Sequence, residues 1–192
     1  MSEKPIAAGK SSFNLIDSQK LFSEIKLKES TWFLDAACGS GAYSIAASTY
    51  IGEKGKIFAF DLWEEGIHNL LSEITLKQIH NIHASVADIS INIPTESHCI
   101  DVCLMATVLH DLIQDDTDGG TLEELKRVLK LNASLAVVEF KKIEGPPGPP
   151  IHIRISPEEL DAKLSPHGFR KNIVTEIGPY HYLTIFTFQG NS

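Results

Sequence analysis

The sequence predicts an α/β fold: one doubly wound, seven-stranded sheet, mostly parallel, whose last strand runs antiparallel. Three observations predict it. Short apolar runs alternate with stretches of helical periodicity along the chain, the pattern of strand–helix–strand units with right-handed crossovers. The run Ile100-Asp101-Val102-Cys103-Leu104-Met105 is nearly all apolar, as a strand covered on both faces must be. The last two runs are separated by little more than Gly178-Pro179-Tyr180, too short for a crossover, so they must pair antiparallel.

Taken in order, residues 1–12 are polar and expected to form a mobile arm. Leu15, Ile16, Leu21, Phe22, Ile25 and Leu27 recur at helical spacing and predict a leading helix over 13–28. A strand follows over 31–34, then a small-residue helix over 42–49. The turn Gly52-Glu53-Lys54-Gly55 sets off a second strand over 56–60. Ile67, Leu70, Leu71, Ile74 and Leu76 mark a helix over 64–78. Strands over 83–86 and 100–105 come next. A helix over 121–130 starts acidic (Glu123, Glu124) and ends basic (Lys126, Arg127, Lys130), matching its dipole. The fifth strand spans 134–140. Ser156-Pro157-Glu158-Glu159 is a helix start with a cap, a proline in the first turn and acids behind it. That helix stops near Gly168, and strands over 171–177 and 182–188 close the chain.

The 192 residues form a single domain, 1–192, with no repeat and no shift of composition. Hydrophobic residues make up 43% and charged residues 22%, a globular balance. A formal charge of −8 repels phosphate backbones and argues against a nucleic-acid partner. No apolar stretch is long enough to span a membrane, and residues 1–10 lack the apolar core of a secretory signal. Three cysteines, Cys38, Cys99 and Cys103, make no even framework, so a reducing, cytoplasmic setting is expected.

The chemistry concentrates at Phe33-Leu34-Asp35-Ala36-Ala37-Cys38-Gly39-Ser40-Gly41 and, further on, Phe58-Ala59-Phe60-Asp61. Two apolar runs each end in a carboxylate, with a glycine turn after the first. Gly39 and Gly41 allow positive dihedrals and close approach of a ligand, and the following helix start offers free amides. Asp61, at the end of a neighbouring strand, is placed to bind ribose hydroxyls. A dinucleotide fingerprint requires glycine or alanine where Ser44 stands, which disfavours an NAD(P)-dependent oxidoreductase. S-adenosylmethionine has no phosphate to cradle; it needs a carboxylate near its amino group and open space near its methionyl part.

The segment Leu34-Asp35-Ala36-Ala37-Cys38-Gly39-Ser40-Gly41 resembles the first motif of class I S-adenosylmethionine-dependent methyltransferases, in particular the small enzymes similar to the ubiquinone/menaquinone-biosynthesis type. Ala37 stands where that motif has its first glycine. The resemblance covers roughly residues 13–188 and implies a Rossmann-like fold and S-adenosylmethionine as cofactor. It implies cofactor contacts at Asp35, Ala37, Gly39 and Gly41, at Asp61 with Leu62, at Ala87 and Asp88 beside the adenine, and at Met105 beneath the methionyl group. Met105-Ala106-Thr107-Val108-Leu109-His110-Asp111 would border the acceptor. A non-catalytic adenosylmethionine-binding module remains the alternative from another class.

Transfer by in-line displacement needs no protein nucleophile, and a base only where the acceptor must lose a proton. His110 is the first candidate and His152 the second. As chain neighbours, His110 and Asp111 are expected to diverge rather than form a dyad. Ile151, Ile153 and Ile155 alternate with His152 and Arg154, which places those two polar side chains on one face. Gly145-Pro146-Pro147-Gly148-Pro149-Pro150 predicts a stiff extended loop walling the acceptor pocket. The arm through Phe13 and Asn14 is expected to fold over the cofactor as a lid. No His, Cys and acid spacing forms a metal set, and Gly9-Lys10-Ser11 lacks the strand and first glycine of a phosphate loop. The acceptor is expected to be a small molecule; an arsenic-type acceptor would require more thiols. Oligomeric state is left open.

Overall fold

The computed structural model describes residues 9–190. Its seven strands lie in the order β3-β2-β1-β4-β5-β7-β6. They are β1 (Trp32–Ala36), β2 (Lys56–Asp61), β3 (Ile82–Val86), β4 (Ile100–Ala106), β5 (Leu129–Phe140), β6 (Phe169–Glu176) and β7 (His181–Phe188). β1 to β5 pair in parallel, and β7 inserts antiparallel between β5 and β6. The chain turns back at β1, so β1 and β4 flank the switch point where open α/β sheets bind ligands at strand carboxyl ends.

Helices cover both faces. α1 (Ser18–Ile25), α2 (Ala42–Ile51) and α3 (Glu64–Lys77) bury Leu21, Phe22, Tyr43, Ala47, Ile67 and Leu70 on one side. α4 (Leu109–Gln114), α5 (Asp118–Val128) and α6 (Pro157–Leu164) bury Leu109, Leu122, Leu125, Leu160 and Leu164 on the other. Eight-residue α1 is too short to persist alone; burial of Leu21, Phe22 and Ile25 holds it, at roughly 2 kcal/mol each. α6 starts on the Ser156/Glu159 capping box that its sequence predicts.

Three expectations are corrected. The leading helix over 13–28 is broken: Phe13–Leu15 is one 3-10 turn, Ile16 is extended, and α1 begins at Ser18. The break falls there because the Asp17 amide donates to the Ile177 carbonyl while its carboxylate caps Lys20 N, so Asp17 begins a helix rather than continuing one. Of the predicted arm, residues 1–8 lie outside the described residues. α5 runs over Asp118–Val128, not 121–130, and β5 begins at Leu129. Buried Leu129 turns extended to pair with Ile100, and Gly120 fits where any Cβ would lie 2.2 Å from the Ser90 carbonyl oxygen. The segment after β4 contains the short helix α4. Finally, residues 151–153 form a turn, so His152 and Arg154 share no face: His152 is exposed and Arg154 buried.

Candidate functional site

Between β1 and α2 the backbone takes positive φ at alternate residues: Ala37 (60°), Gly39 (57°) and Gly41 (75°). Gly41 caps α2 and has no room for a side chain, since a Cβ would lie 2.3 Å from Leu70 Cδ1. At Gly39 a Cβ would meet nothing within 4 Å, so the loop faces open space there. Ala37 holds the same conformation with a side chain, at a cost of about 1 kcal/mol. Asp61 fastens the turn: Gly39 N donates to Oδ2 at 2.7 Å and Trp63 N to Oδ1 at 2.7 Å. Each oxygen keeps a second lone pair. Gly66, which sequence reasoning missed, completes the assembly. A Cβ there would lie 2.8 Å from the Gly39 carbonyl oxygen and 2.3 Å from the Trp63 ring, so glycine lets α3 approach the loop.

Asp35 sits at the end of β1, almost fully buried, with Ser44 Oγ donating to Oδ2 at 2.6 Å. Burial raises its pKa to about 7, the Ser44 hydrogen bond opposes that, and the charge of Asp61 adds to it. A carboxylate in this setting favours a cation beside it. Beyond Asp61 the strand tips are apolar and exposed: Leu62 at 53% and Val86 at 48%, a surface suited to a flat heteroaromatic ring. Ala87 N donates to the Asp61 carbonyl, tying β3 to β2. Asp88 Oδ1 accepts from Ser90 N and Ser90 Oγ at 2.9 and 2.6 Å, while among the described residues Oδ2 has no hydrogen bond. Met105, at the carboxyl end of β4, is fully buried in the core.

Across the switch point, α4 and the end of β5 bring together a cluster that the sequence did not disclose. His110 Nδ1 lies 2.7 Å from Glu139 Oε2, and His110 N donates to Oε1 at 3.3 Å. His110 Nε2 is 3.5 Å from Asp111 Oδ1, so the expected divergence of these neighbours is corrected: a helical turn brings them together. Burial alone would depress the His110 pKa, but the Glu139 hydrogen bond and the charges of Glu139 and Asp111 outweigh it and raise it. Nothing in one strand pattern could have shown this pair; Glu139 reads as one polar residue inside an apolar run.

Arg154 is also placed differently from expectation. Its Nε donates to the Pro149 carbonyl, Nη1 to those of Lys141 and Ile143, and Nη2 to those of Gly145 and Pro147. It organises the Gly-Pro loop rather than facing a ligand. His152 lies outside this cluster, on the exposed side of the turn. Over the strand ends passes the described part of the arm. Ser12 Oγ lies 2.8 Å from Tyr43 OH and accepts from Thr107 Oγ1 at 3.2 Å, and Phe13 packs edge-on against Tyr43.

Among the described residues no His, Cys, Asp and Glu group could hold a metal ion. A groove of about 520 Å³ lined by Lys28, Asp101 and Asn172 opens at the opposite edge of the sheet, away from the carboxyl ends. The sheet-end site, not this groove, has convergent polar groups and a perturbed carboxylate.

The model of the methyltransferase domain family matches residues 27–188. A demethylmenaquinone methyltransferase of Lactobacillus johnsonii is 27% identical over 175 residues, 86% of this chain and 64% of that protein. A 2-phytyl-1,4-naphtoquinone methyltransferase of Trichormus variabilis is 29% identical over 114 residues, 57% of this chain and 46% of that protein. The chain thus spans between about half and just under two thirds of the length of these relatives. The crystal structure of a SAM-dependent methyltransferase from Aquifex aeolicus superposes with a TM-score of 0.84 at 32% identity, covering 93% of each chain. With the glycine turn, the two strand-end carboxylates and the closing antiparallel pair all in place, the chain belongs to the methyltransferase domain family, as a class I S-adenosylmethionine-dependent member.

Proposed function

We propose that the protein transfers a methyl group from S-adenosylmethionine to a small-molecule acceptor, with a hydroxylated aromatic of the quinol kind as the leading class. The observation that carries this reading is Asp35, a buried carboxylate whose pKa is raised to about 7 beside an open glycine turn. The methionyl end of S-adenosylmethionine carries an ammonium and a sulfonium, and that positive charge stabilises an ionised Asp35. When bound, the cofactor supplies a methyl group already activated by the sulfonium charge. Asp61 would receive the ribose hydroxyls, Leu62 and Val86 the adenine faces, and Asp88 Oδ2 with the Ala87 backbone the adenine edge. Ala37, Gly39 and Gly41 leave the loop space for the methionyl part.

A pyrophosphate would instead place negative charge beside Asp35 and Asp61, which disfavours NAD(P). The quinone relatives support a small aromatic acceptor, and the formal charge of −8 argues against nucleic acid. Ser12, Tyr43 and Thr107 would hold the arm over the bound ligands and exclude water. No described helix is long and apolar enough to cross a membrane. Three free, buried cysteines support a cytoplasmic location.

Isothermal titration with S-adenosylmethionine, S-adenosylhomocysteine and NAD tests the donor, and methyl transfer to 1,4-dihydroxynaphthalene tests the acceptor class. Binding of both adenosyl compounds but not NAD is expected, with Asp35→Asn weakening S-adenosylmethionine by tenfold or more. Absence of adenosyl binding overturns the proposal; binding without transfer to any small acceptor favours the binding-module reading.

A further inference from the structure

We infer that Glu139 orients His110 so that Nε2 takes a proton from the acceptor, which assigns the acceptor to the hydroxyl or carbon-acid class rather than to lone-pair nucleophiles that need no deprotonation. The inference rests on the methyl-transfer reading and specifies the other half of that site.

Glu139 is 0% exposed and has no cationic side chain at salt-bridge distance among the described residues; its hydrogen bonds come from His110. Burying a carboxylate in this way costs several kcal/mol unless the partner geometry is good. A carboxylate only accepts hydrogen bonds, so the ring proton sits on Nδ1 and donates to Oε2 at 2.7 Å. That fixes the tautomer, leaving the lone pair on Nε2. The Nε2 edge faces Asp111 Oδ1 at 3.5 Å, so the Asp111 carboxylate stabilises the proton once Nε2 has taken it up; the ring is 5% and the Asp111 side chain 37% exposed. α4 and β5 are both held rigidly here, since α4 starts directly after β4 and Glu139 pairs with Tyr182 in the sheet. The charged groups facing the ring are Glu139 from β5, Asp111 from α4 itself and Arg154 from the Gly-Pro loop; Lys10 and Asp115 act on it through Asp111. The balance is negative, which favours proton uptake.

In the reaction, the acceptor's O–H or C–H proton passes to Nε2 and its electron pair forms the new bond to methyl. The pair from the broken carbon–sulfur bond stays on sulfur, so the sulfonium charge leaves the site as one proton, released past Asp111 to water. Nothing is oxidised or reduced. Glu139 acts as a positioning residue, since it touches His110 and not the acceptor.

A purely structural Glu139, tying α4 to β5, would lower stability on substitution and leave protonation chemistry untouched. The test therefore reads both. In the full chain, the His110 ring is titrated by 15N NMR in wild type and in Glu139→Gln, and methyl transfer is profiled against pH with 1,4-dihydroxynaphthalene and with thiophenol, which is already ionised near neutral pH. The expected result is a lower His110 pKa in E139Q, an acid limb of kcat displaced to lower pH by the same amount, and kcat reduced about tenfold for the naphthalenediol. His110→Asn reduces transfer to the diol at least 100-fold. S-adenosylmethionine affinity stays within twofold in both variants. Diol transfer that survives His110→Asn, an acid limb unmoved by E139Q, or transfer confined to thiophenol overturns the inference. Failure of wild type to bind S-adenosylmethionine overturns instead the reading on which it rests.

Discussion

Asp35, proposed to face the methionyl end of the cofactor, carries a cost in stability. Its carboxyl is raised from 3.8 to about 7 by burial, so ionising it in the folded chain costs on the order of 4 kcal/mol relative to the unfolded chain. Asp35→Asn removes that burden. Melting curves at pH 8 are expected to place D35N above wild type, with the gap narrowing as pH falls and closing below 3.8, where wild-type Asp35 is protonated in both states. The same variant loses S-adenosylmethionine affinity, so stability and binding move in opposite directions. Ala37 is strained differently: at φ 60° its methyl resists the loop. Ala37→Gly relieves about 1 kcal/mol of that strain, partly offset by glycine's larger unfolded-state entropy. A small rise in melting temperature without loss of cofactor binding is the expected outcome. Both positions were legible in the sequence, because a carboxylate at a strand end before a glycine turn is a local pattern. Gly66 and Glu139 were not, because their roles lie in contacts with Gly39 and His110 far along the chain.

At the scale of elements, the loop from Lys141 to Arg154 is the clearest device. The sequence marks it as stiff from its prolines but misplaces Arg154, whose five carbonyl contacts wrap the loop around one side chain. Arg154→Lys keeps the charge and loses the planar fork, and is expected to destabilise the segment by roughly 3 kcal/mol. Trypsin then cuts after Lys141 or Lys142 at least tenfold faster, while S-adenosylmethionine affinity holds. Unchanged cleavage would show that the loop stands without its guanidinium. The strand and helix series was readable because a buried parallel sheet leaves uninterrupted apolar runs. The boundaries that moved did so for tertiary reasons: Ile177 draws the Asp17 amide out of the leading helix, and Ile100 draws Leu129 out of α5.

Across the whole molecule, two buried groups titrate against each other. His181 is 0% exposed at the start of β7, its ring 4.4 Å from that of Phe140, and neither ring nitrogen has a hydrogen-bond partner among the described residues. Burial first, then the charges of Arg154 and Lys141, lower its pKa from 6.5 to about 4. A depressed histidine loses stability as pH falls from 6.5 toward 4; a raised carboxyl such as Asp35 loses it as pH climbs from about 4 to 7. Their slopes are equal and opposite across that shared window. Each substitution should unmask the other: relative to wild type, D35N gains stability as pH rises through the window, and His181→Phe gains it as pH falls. Chemical denaturation at half-unit pH steps checks both, and parallel wild-type and variant curves would refute the pairing.

The Arg154 clamp has a consequence for how this architecture can change. Pro146, Pro147, Pro149 and Pro150 bring four carbonyls and no amide hydrogens, so the segment has more backbone acceptors than donors of its own. One guanidinium supplies five N–H groups where the backbone has surrendered four. Loop and arginine are therefore a heritable unit. Lineages or designers are free to exchange this loop for another only by moving both together, and a transplanted Gly-Pro segment without its arginine would arrive as slack chain.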